Sequence, residues 1–374
     1  MSASANPDIV DDGLVFLYDT DDGKSYKGEP TTNVVANPLP TTGWSVSQAQ
    51  GSALTRTYLT EDGIPFMRFS SVTNGNDYPR VTNSVFANSA TITGTFSTSL
   101  EVKGTAGAVL RLRIYENGST KITNSITLTS EWVRYTFDNQ STGFNLNQPY
   151  FNPATSNAIY DIRNIQIEAK SHSTPFVNGT RSATQGLIDR TGNTTIDLSN
   201  VSFDSNAQMT FDGTDDYIAL PSDIRSIFTS YPNCMECVLK KSSSDQGDMV
   251  AFDVDITRWN LNYNMYVSNQ WSFDFYDGTE HVIAAGNYDD EYVHFVLQQL
   301  SDGTMQIYAN GVLKGSSAAS NLSPNGSSIR IGSRSNGDSR YFKGDIPIMK
   351  IYNKALTSTE VLQNFNATKS RFGL

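Results

Sequence analysis

Two dipeptides in VLQQLSDGTMQIYANGVLKG, residues 296–315, constrain the fold more than any other part of the chain. Asp302-Gly303 and Asn310-Gly311 are of the type whose positive φ angles match strand twist. Each sits between strand-like runs, so the segment predicts two successive β-hairpins. The same texture recurs between residues 33 and 178, in PFMRFSS, ATITGTFSTSLEVKG, AVLRLRIYENG, SITLTSEWVRYTFDN and AIYDIRNIQIEAK. In VLRLRIY the alternation puts Leu110, Leu112 and Ile114 on one face and Val109, Arg111, Arg113 and Tyr115 on the other, so one face enters a core. Trp132, Arg134 and Thr136 alternate in the same way with Val133, Tyr135 and Phe137, with an aromatic on both faces.

Composition agrees with this pattern. Charged residues make up only 17% of the chain against 18 Tyr and 19 Phe, a mixture that favours many short strands joined by polar turns. The expected class is all-β. At 374 residues the chain exceeds the ~100–200 of a usual single domain, so two domains are expected, each with its own core. One helix stands out near the C-terminus. Thr357 and Glu360 have capping-box spacing, Leu356 and Val361 are placed for a hydrophobic staple, and Val361, Leu362 and Phe365 are expected to face the sheet.

A net charge of −11 opposes binding to a phosphate backbone, which needs clustered Lys and Arg. No apolar run approaches the ~20 residues of a membrane span, and MSASANPDIVDDG lacks the basic start and apolar stretch of a cleaved export signal. Nucleic acid and membrane insertion are therefore not expected. The two cysteines, Cys234 and Cys237, form a lone C-x-x-C in a strand-like run. Residues three apart there point to opposite faces, so two free, buried thiols are expected and a disulfide is not.

The stretches GLVFLYDTDDGKSYK (13–27), MTFDGTDDYIALP, FDFYDGTEHVIAA, SIRIGSR and KGDIPIMKIYNKALTSTEVLQNF resemble, in order and spacing, laminin-G-like (concanavalin A-like) jelly-roll domains of bacteriophage virion proteins and secreted carbohydrate-binding proteins. NPLPTTGWSVSQA and IRNIQIE with its TPFVNGTR tail resemble the start and end of a carbohydrate-binding-module-like sandwich. A laminin-G-like domain starting at Gly186 would lack its first strand, and GLVFLYD supplies one. The resemblance thus implies a discontinuous laminin-G-like domain, residues 1–30 and 181–374, with a second sandwich, 31–180, inserted into it at one loop, where insertions are tolerated.

Catalytic signatures are weak. A retaining glycosidase on such a sandwich needs paired carboxylates on one strand face. The nearest string, FDVDITRW, offers Asp253 and Asp255 but no Glu. His172, His281 and His294 lie apart from any G-x-S-x-G or H-E-x-x-H motif. A non-enzymatic protein is expected. For sugar binding, RWNLNYNMYVSNQWSFDFYDG supplies Trp259, Tyr263, Tyr266, Trp271 and Tyr276 interleaved with Asn260, Asn262, Asn264, Asn269 and Gln270, which is the chemistry of an aromatic platform flanked by amides. Alternating aromatics also build ordinary sandwich cores and hairpin pairs.

For cofactors the expectation is none, with calcium as the one admissible ion. Asp212, Asp215 and Asp216, and Asn336 and Asp338, offer hard oxygen ligands, although tight turns use the same residues without a metal. The resemblance implies a bacteriophage virion component of tail-fibre, neck or capsid-decoration type. Its partners would be other virion proteins and further copies of itself, with a host cell-surface glycan as a further ligand. A secreted or surface carbohydrate-binding protein is the alternative, and a polysaccharide depolymerase a more distant one.

Overall fold

The computed structural model describes residues 8–374 except 36, 48–53, 72–79, 84–91, 93, 117–118, 143–147, 255–258, 319–328 and 336–339. The chain divides into two compact units, Pro30–Ser182 with Ser205–Ala207, and Met1–Glu29 with Ala183–Asp204 and Gln208–Leu374. Both are built from antiparallel sheets, and among the described residues no helix is long and apolar enough to cross a membrane.

The larger unit is a sandwich of an eight-stranded and a six-stranded sheet. Lys343–Tyr352 is the central strand of the first. One edge of it pairs with Asn233–Lys241, while the other is shared by Met209–Asp212 at its start and Leu14–Asp19 at its end. Phe16 and Tyr18 of that first strand are fully buried in the core between the sheets. The strand from the beginning of the chain thus completes a sheet whose other members lie beyond residue 200.

Tyr292–Gln299, Met305–Ala309 and Val312–Ser317 continue this sheet as two hairpins. At the second, Ala309 pairs with Val312 across Asn310 and Gly311, both at positive φ, so the expected two-residue turn forms. The first is wider. Gln299 pairs with Met305, leaving five residues in the loop, and Gly303 alone takes the left-handed conformation there.

The six-stranded sheet runs in the order Ile218–Leu220, Ile329–Ile331, Met249–Val254, Trp259–Tyr263, Trp271–Tyr276 and Glu280–Gly286. Its inner face contributes Phe252, Trp259, Leu261, Tyr263, Trp271, Phe273 and Phe275 to the core. Cys234 and Cys237 are free and buried, Cys237 in this core and Cys234 on the opposite side of its sheet, as their spacing in a strand requires.

The C-terminal helix, Ser358–Phe372, begins with the expected capping box between Thr357 and Glu360 and ends at Gly373 in the left-handed conformation. Leu356 and Val361 are buried together. Its buried face is Val361, Asn364 and Thr368, so the expectation for Leu362 is corrected: it is 47% exposed. The reason is helical phase, since i, i+3 and i+7 from Val361 share a face and i+1 lies about 100° away.

The smaller unit packs two five-stranded sheets. Leu110, Leu112 and Ile114 point into its core as their alternation predicts, and Tyr135 and Phe137 pack against that core. The segments by which the chain enters and leaves this unit pair with each other, Thr31 with Arg181 and Thr32 with Thr180. Buried Glu168 secures them by accepting from Thr31 Oγ1 at 2.7 Å and Thr174 Oγ1 at 2.6 Å.

Candidate functional site

The outer face of the six-stranded sheet is polar, because the strands that send Trp259, Leu261, Trp271 and Phe273 inward turn their intervening residues outward. Register aligns Arg330, Asp253, Asn260 and Asp274 across four strands, with Asn262 and Ser272 in the next row. Ser272 Oγ donates to Asn262 Oδ1 (2.8 Å), Asn262 Nδ2 to Asn260 Oδ1 (2.6 Å), and Asn260 Nδ2 to Asp274 Oδ2 (3.4 Å). The chain of bonds has one direction, ending on a carboxylate. Asp253, Asn260, Asn262, Ser272 and Asp274 are all fully buried.

Asp253 is held by a loop. Gly332, at φ +86°, turns the chain where a Cβ would lie 2.3 Å from the Phe211 ring, so only glycine fits. Beyond that turn Ser335 donates to Asp253 Oδ2 through its backbone N–H (2.8 Å) and its hydroxyl (2.5 Å). Oδ1 of Asp253 is buried with no hydrogen-bond partner among the described residues. Burial pushes the Asp253 carboxyl up to about 6, against the lowering pull of the Ser335 bonds.

Arg330 joins this row to the rim of the sandwich, where its guanidinium lies 4.1 Å from the centre of the Tyr217 ring. Tyr217 and Tyr341, both half-buried, wall a cleft of about 320 Å³ together with Ser199, Asn200, Ser202 and Asp215. The buried carboxylate of Asp216 closes its floor, accepting from Ser202 N (2.9 Å), Ser202 Oγ (3.1 Å) and Asp212 N (2.7 Å), and burial raises its pKa.

The sequence-derived candidates separate in this structure. Trp259, Tyr263 and Trp271 are at most 1% exposed and face the core, which corrects the expectation of an aromatic platform built on them. Their alternation with Asn and Ser residues is that of a sheet with an apolar inner face. Tyr266 is half-buried, and Tyr276, at the end of its strand, is exposed.

Asp212, Asp215 and Asp216 do come together, with one carboxylate oxygen of each within 4.8 Å of the others. Oxygens of Asp212 and Asp216 already accept hydrogen bonds here, Asp212 Oδ1 from Thr214 N at 2.7 Å among them, as tight turns do without a metal. Asn336, Asp338 and Asp255 lie outside the described residues. Sequence reasoning missed Asp274, Arg330 and the tyrosines of the cleft. Asp274 was readable as the polar phase of SFDF, whereas Arg330 and Tyr217 meet only through sheet order.

Residues 212–362 match the family model described as the concanavalin A-like lectin/glucanases superfamily. No curated protein matches the sequence. Among solved structures, the chain is similar to domain 4 of AbnA, a GH43 extracellular arabinanase from Geobacillus stearothermophilus, in complex with arabinotriose. Identity there is 16% over 49% of this chain and 92% of that one, with a TM-score of 0.39. It is also similar to the receptor binding domain of botulinum neurotoxin D, at 16% identity over 50% of this chain and 51% of that one, with a TM-score of 0.41. The chain therefore spans about half the length of that toxin domain. The larger unit is a concanavalin A-like sandwich with a short C-terminal helix.

Proposed function

We propose that this chain is a non-enzymatic attachment protein whose concanavalin A-like sandwich holds a carbohydrate at the rim cleft. The observation that carries the reading is the lining of that cleft, two half-buried tyrosine rings among hydroxyl, amide and carboxylate groups. Aromatic faces cover the C–H side of a pyranose and the polar groups meet its hydroxyls. A glycan array with the intact protein tests it. Binding to a defined glycan, lost in Tyr217→Ala with the fold retained, is the expected result, and an array without binders overturns the reading.

The finer assignment is to a bacteriophage particle, as a tail-fibre, neck or capsid-decoration component in contact with other virion proteins and further copies of itself, its smaller unit being a carbohydrate-binding-module-like sandwich. The opening strand and the C-terminal helical segment support this by resemblance. Immunogold labelling of particles at a fixed position is expected. This reading calls for no cofactor. Hydrogen bonds to Asp212 and Asp216 already shape this turn, and calcium and EDTA are expected to give the same melting curve.

A second reading, a polysaccharide depolymerase, draws on one observation: Asp253, raised to about 6, shares a sheet face with Asp274 two strands away, although both are fully buried. Two strand spacings separate such residues by roughly 9–10 Å, close to the range of inverting glycosidases. Product release abolished by Asp253→Asn would establish it in place of the first.

A further inference from the structure

The outer face of the eight-stranded sheet, beneath the C-terminal helix, holds a cluster that carbohydrate attachment does not use. Glu236 is the register partner of Lys350 on the adjoining strand. Its Oε1 receives Lys350 Nζ at 2.6 Å and lies 3.0 Å from His294 Nε2, while its Oε2 accepts from Asn364 Nδ2, on the helix, at 2.6 Å. Asn364 Oδ1 accepts from the backbone N–H of Val10 at 2.8 Å. Asn364 Nδ2 also donates to the Tyr352 hydroxyl at 3.0 Å, which in turn donates to Val10 O at 3.2 Å. None of Glu236, His294, Lys350, Tyr352 and Asn364 exceeds 1% exposure, and Cys234, Val296, Leu356 and Val361 pack around them.

A buried ion pair contributes little net stability, because desolvation offsets the attraction. The bonds that satisfy this buried carboxylate also bring two reactive groups to it. One carboxylate touches both an amine and a carboxamide through its two oxygens, and the carboxamide oxygen already faces an N–H donor. These are the parts of an acyl transfer: a nucleophile, a proton carrier between nucleophile and leaving group, and a donor where negative charge develops.

We propose that Lys350 and Asn364 become joined by an intramolecular isopeptide bond that the folded chain forms itself, with Glu236 as the proton carrier. Lys350 Nζ gives a proton to Glu236 and attacks Cγ of Asn364. The charge that develops on Oδ1 is met by the Val10 N–H. Collapse breaks the Cγ–Nδ2 bond, Nδ2 takes its proton from Glu236, and the attacking nitrogen returns one to the carboxylate. In sum, an ammonium and a carboxamide become a secondary amide and an ammonium ion, with no oxidant, reductant or other reactant.

Electrostatics sets the pace of this reaction. Burial alone would raise Glu236, but the Lys350 ammonium and His294 outweigh it and hold the carboxyl at about 2, so the resting pair is charged. The proton must move before attack. Exclusion of water narrows the gap between the charged and neutral pairs, since both charges have lost their hydration. The bond also needs to form only once per chain. Its product ties the C-terminal helix covalently to the central strand of the sheet.

Mass spectrometry of the purified full-length protein tests the proposal. The intact mass is expected about 17 Da below that of the sequence, the mass of the ammonia released. Digestion is expected to give one branched peptide containing Lys350 and Asn364. In Glu236→Gln the loss should disappear. Should that variant fail to fold, the wild-type digest still decides. Lys350 and Asn364 recovered in separate linear peptides overturn the proposal, whether the intact mass is full or is lowered by a succinimide at Asn310–Gly311.

Discussion

The two outer faces of the larger sandwich both bury polar groups, and they do so in opposite ways. On the six-stranded sheet, Asp253 accepts from the backbone and hydroxyl of Ser335 and among the described residues no cation is bonded to it, and its pKa rises to about 6. On the eight-stranded sheet, Glu236 sits between Lys350, His294 and Asn364, and its pKa falls to about 2 although it is equally buried. Burial is common to both, so the partner decides the sign of the shift. An acid bonded to neutral groups is pushed towards its neutral form, while an acid bonded to cations rests charged and holds its neighbours in place.

The largest test of this contrast removes each acid. Glu236→Ala leaves the Lys350 ammonium buried without its partner and should cost about 3–5 kcal/mol in denaturant unfolding. Asp253→Asn keeps an oxygen for Ser335 and removes a buried charge, so at neutral pH it should be neutral or stabilising. Equal losses in the two variants would break the comparison. Trp259→Ala provides a calibration from the core between the faces. With the ring packed against Phe228, Phe252 and Phe273, about 3–5 kcal/mol should be lost, where a ligand-platform residue would cost stability little.

The pH dependence sharpens the comparison further. Asp253 is raised in the fold from 3.8 to about 6, so its neutral form is favoured there. Its contribution is fully present below about pH 4 and is lost as pH rises to about 6, by at most about 3 kcal/mol. Glu236 is lowered from 4.5 to about 2, so its contribution is present above 4.5 and is lost as pH falls towards 2. Melting temperature against pH should therefore rise and then fall, and Asp253→Asn should abolish the fall alone. In a chain whose Lys350 has formed the isopeptide bond the ammonium is gone, and the low-pH limb should shrink with it.

How much of this was legible in the sequence depends on how local the signal was. The Asn310-Gly311 turn, the Thr357–Glu360 cap and the alternation of residues 110, 112 and 114 follow from neighbours in the chain, and the structure shows each of them. The density of Trp and Tyr between residues 259 and 276 was equally visible, but a strand pattern gives two faces without saying which is covered. Here the aromatic face looks inward, and even the polar face is buried. The Glu236 cluster had no local signature at all. Its members come from three strands and a helix and meet only once register and helix phase are set. Sequence supplied the elements with their caps and turns, and sheet order supplied the chemistry.

The smallest expected effect concerns the helix that covers one face. Thr357 Oγ1 accepts from Glu360 N at 3.3 Å, and Glu360 Oε2 accepts from Thr357 N at 2.7 Å, so Thr357→Ala removes one half of a reciprocal cap and should cost about 1 kcal/mol. Hydrogen exchange locates the loss. Amides of the first helical turn should exchange faster, while those of Met249–Val254 on the opposite sheet keep their protection. If the Lys350–Asn364 bond is present, the protection should be restored from Asn364 onward, because the helix is then anchored at its middle independently of its start. Faster exchange along the whole helix would mean that the cap, and no covalent tie, holds it over Glu236.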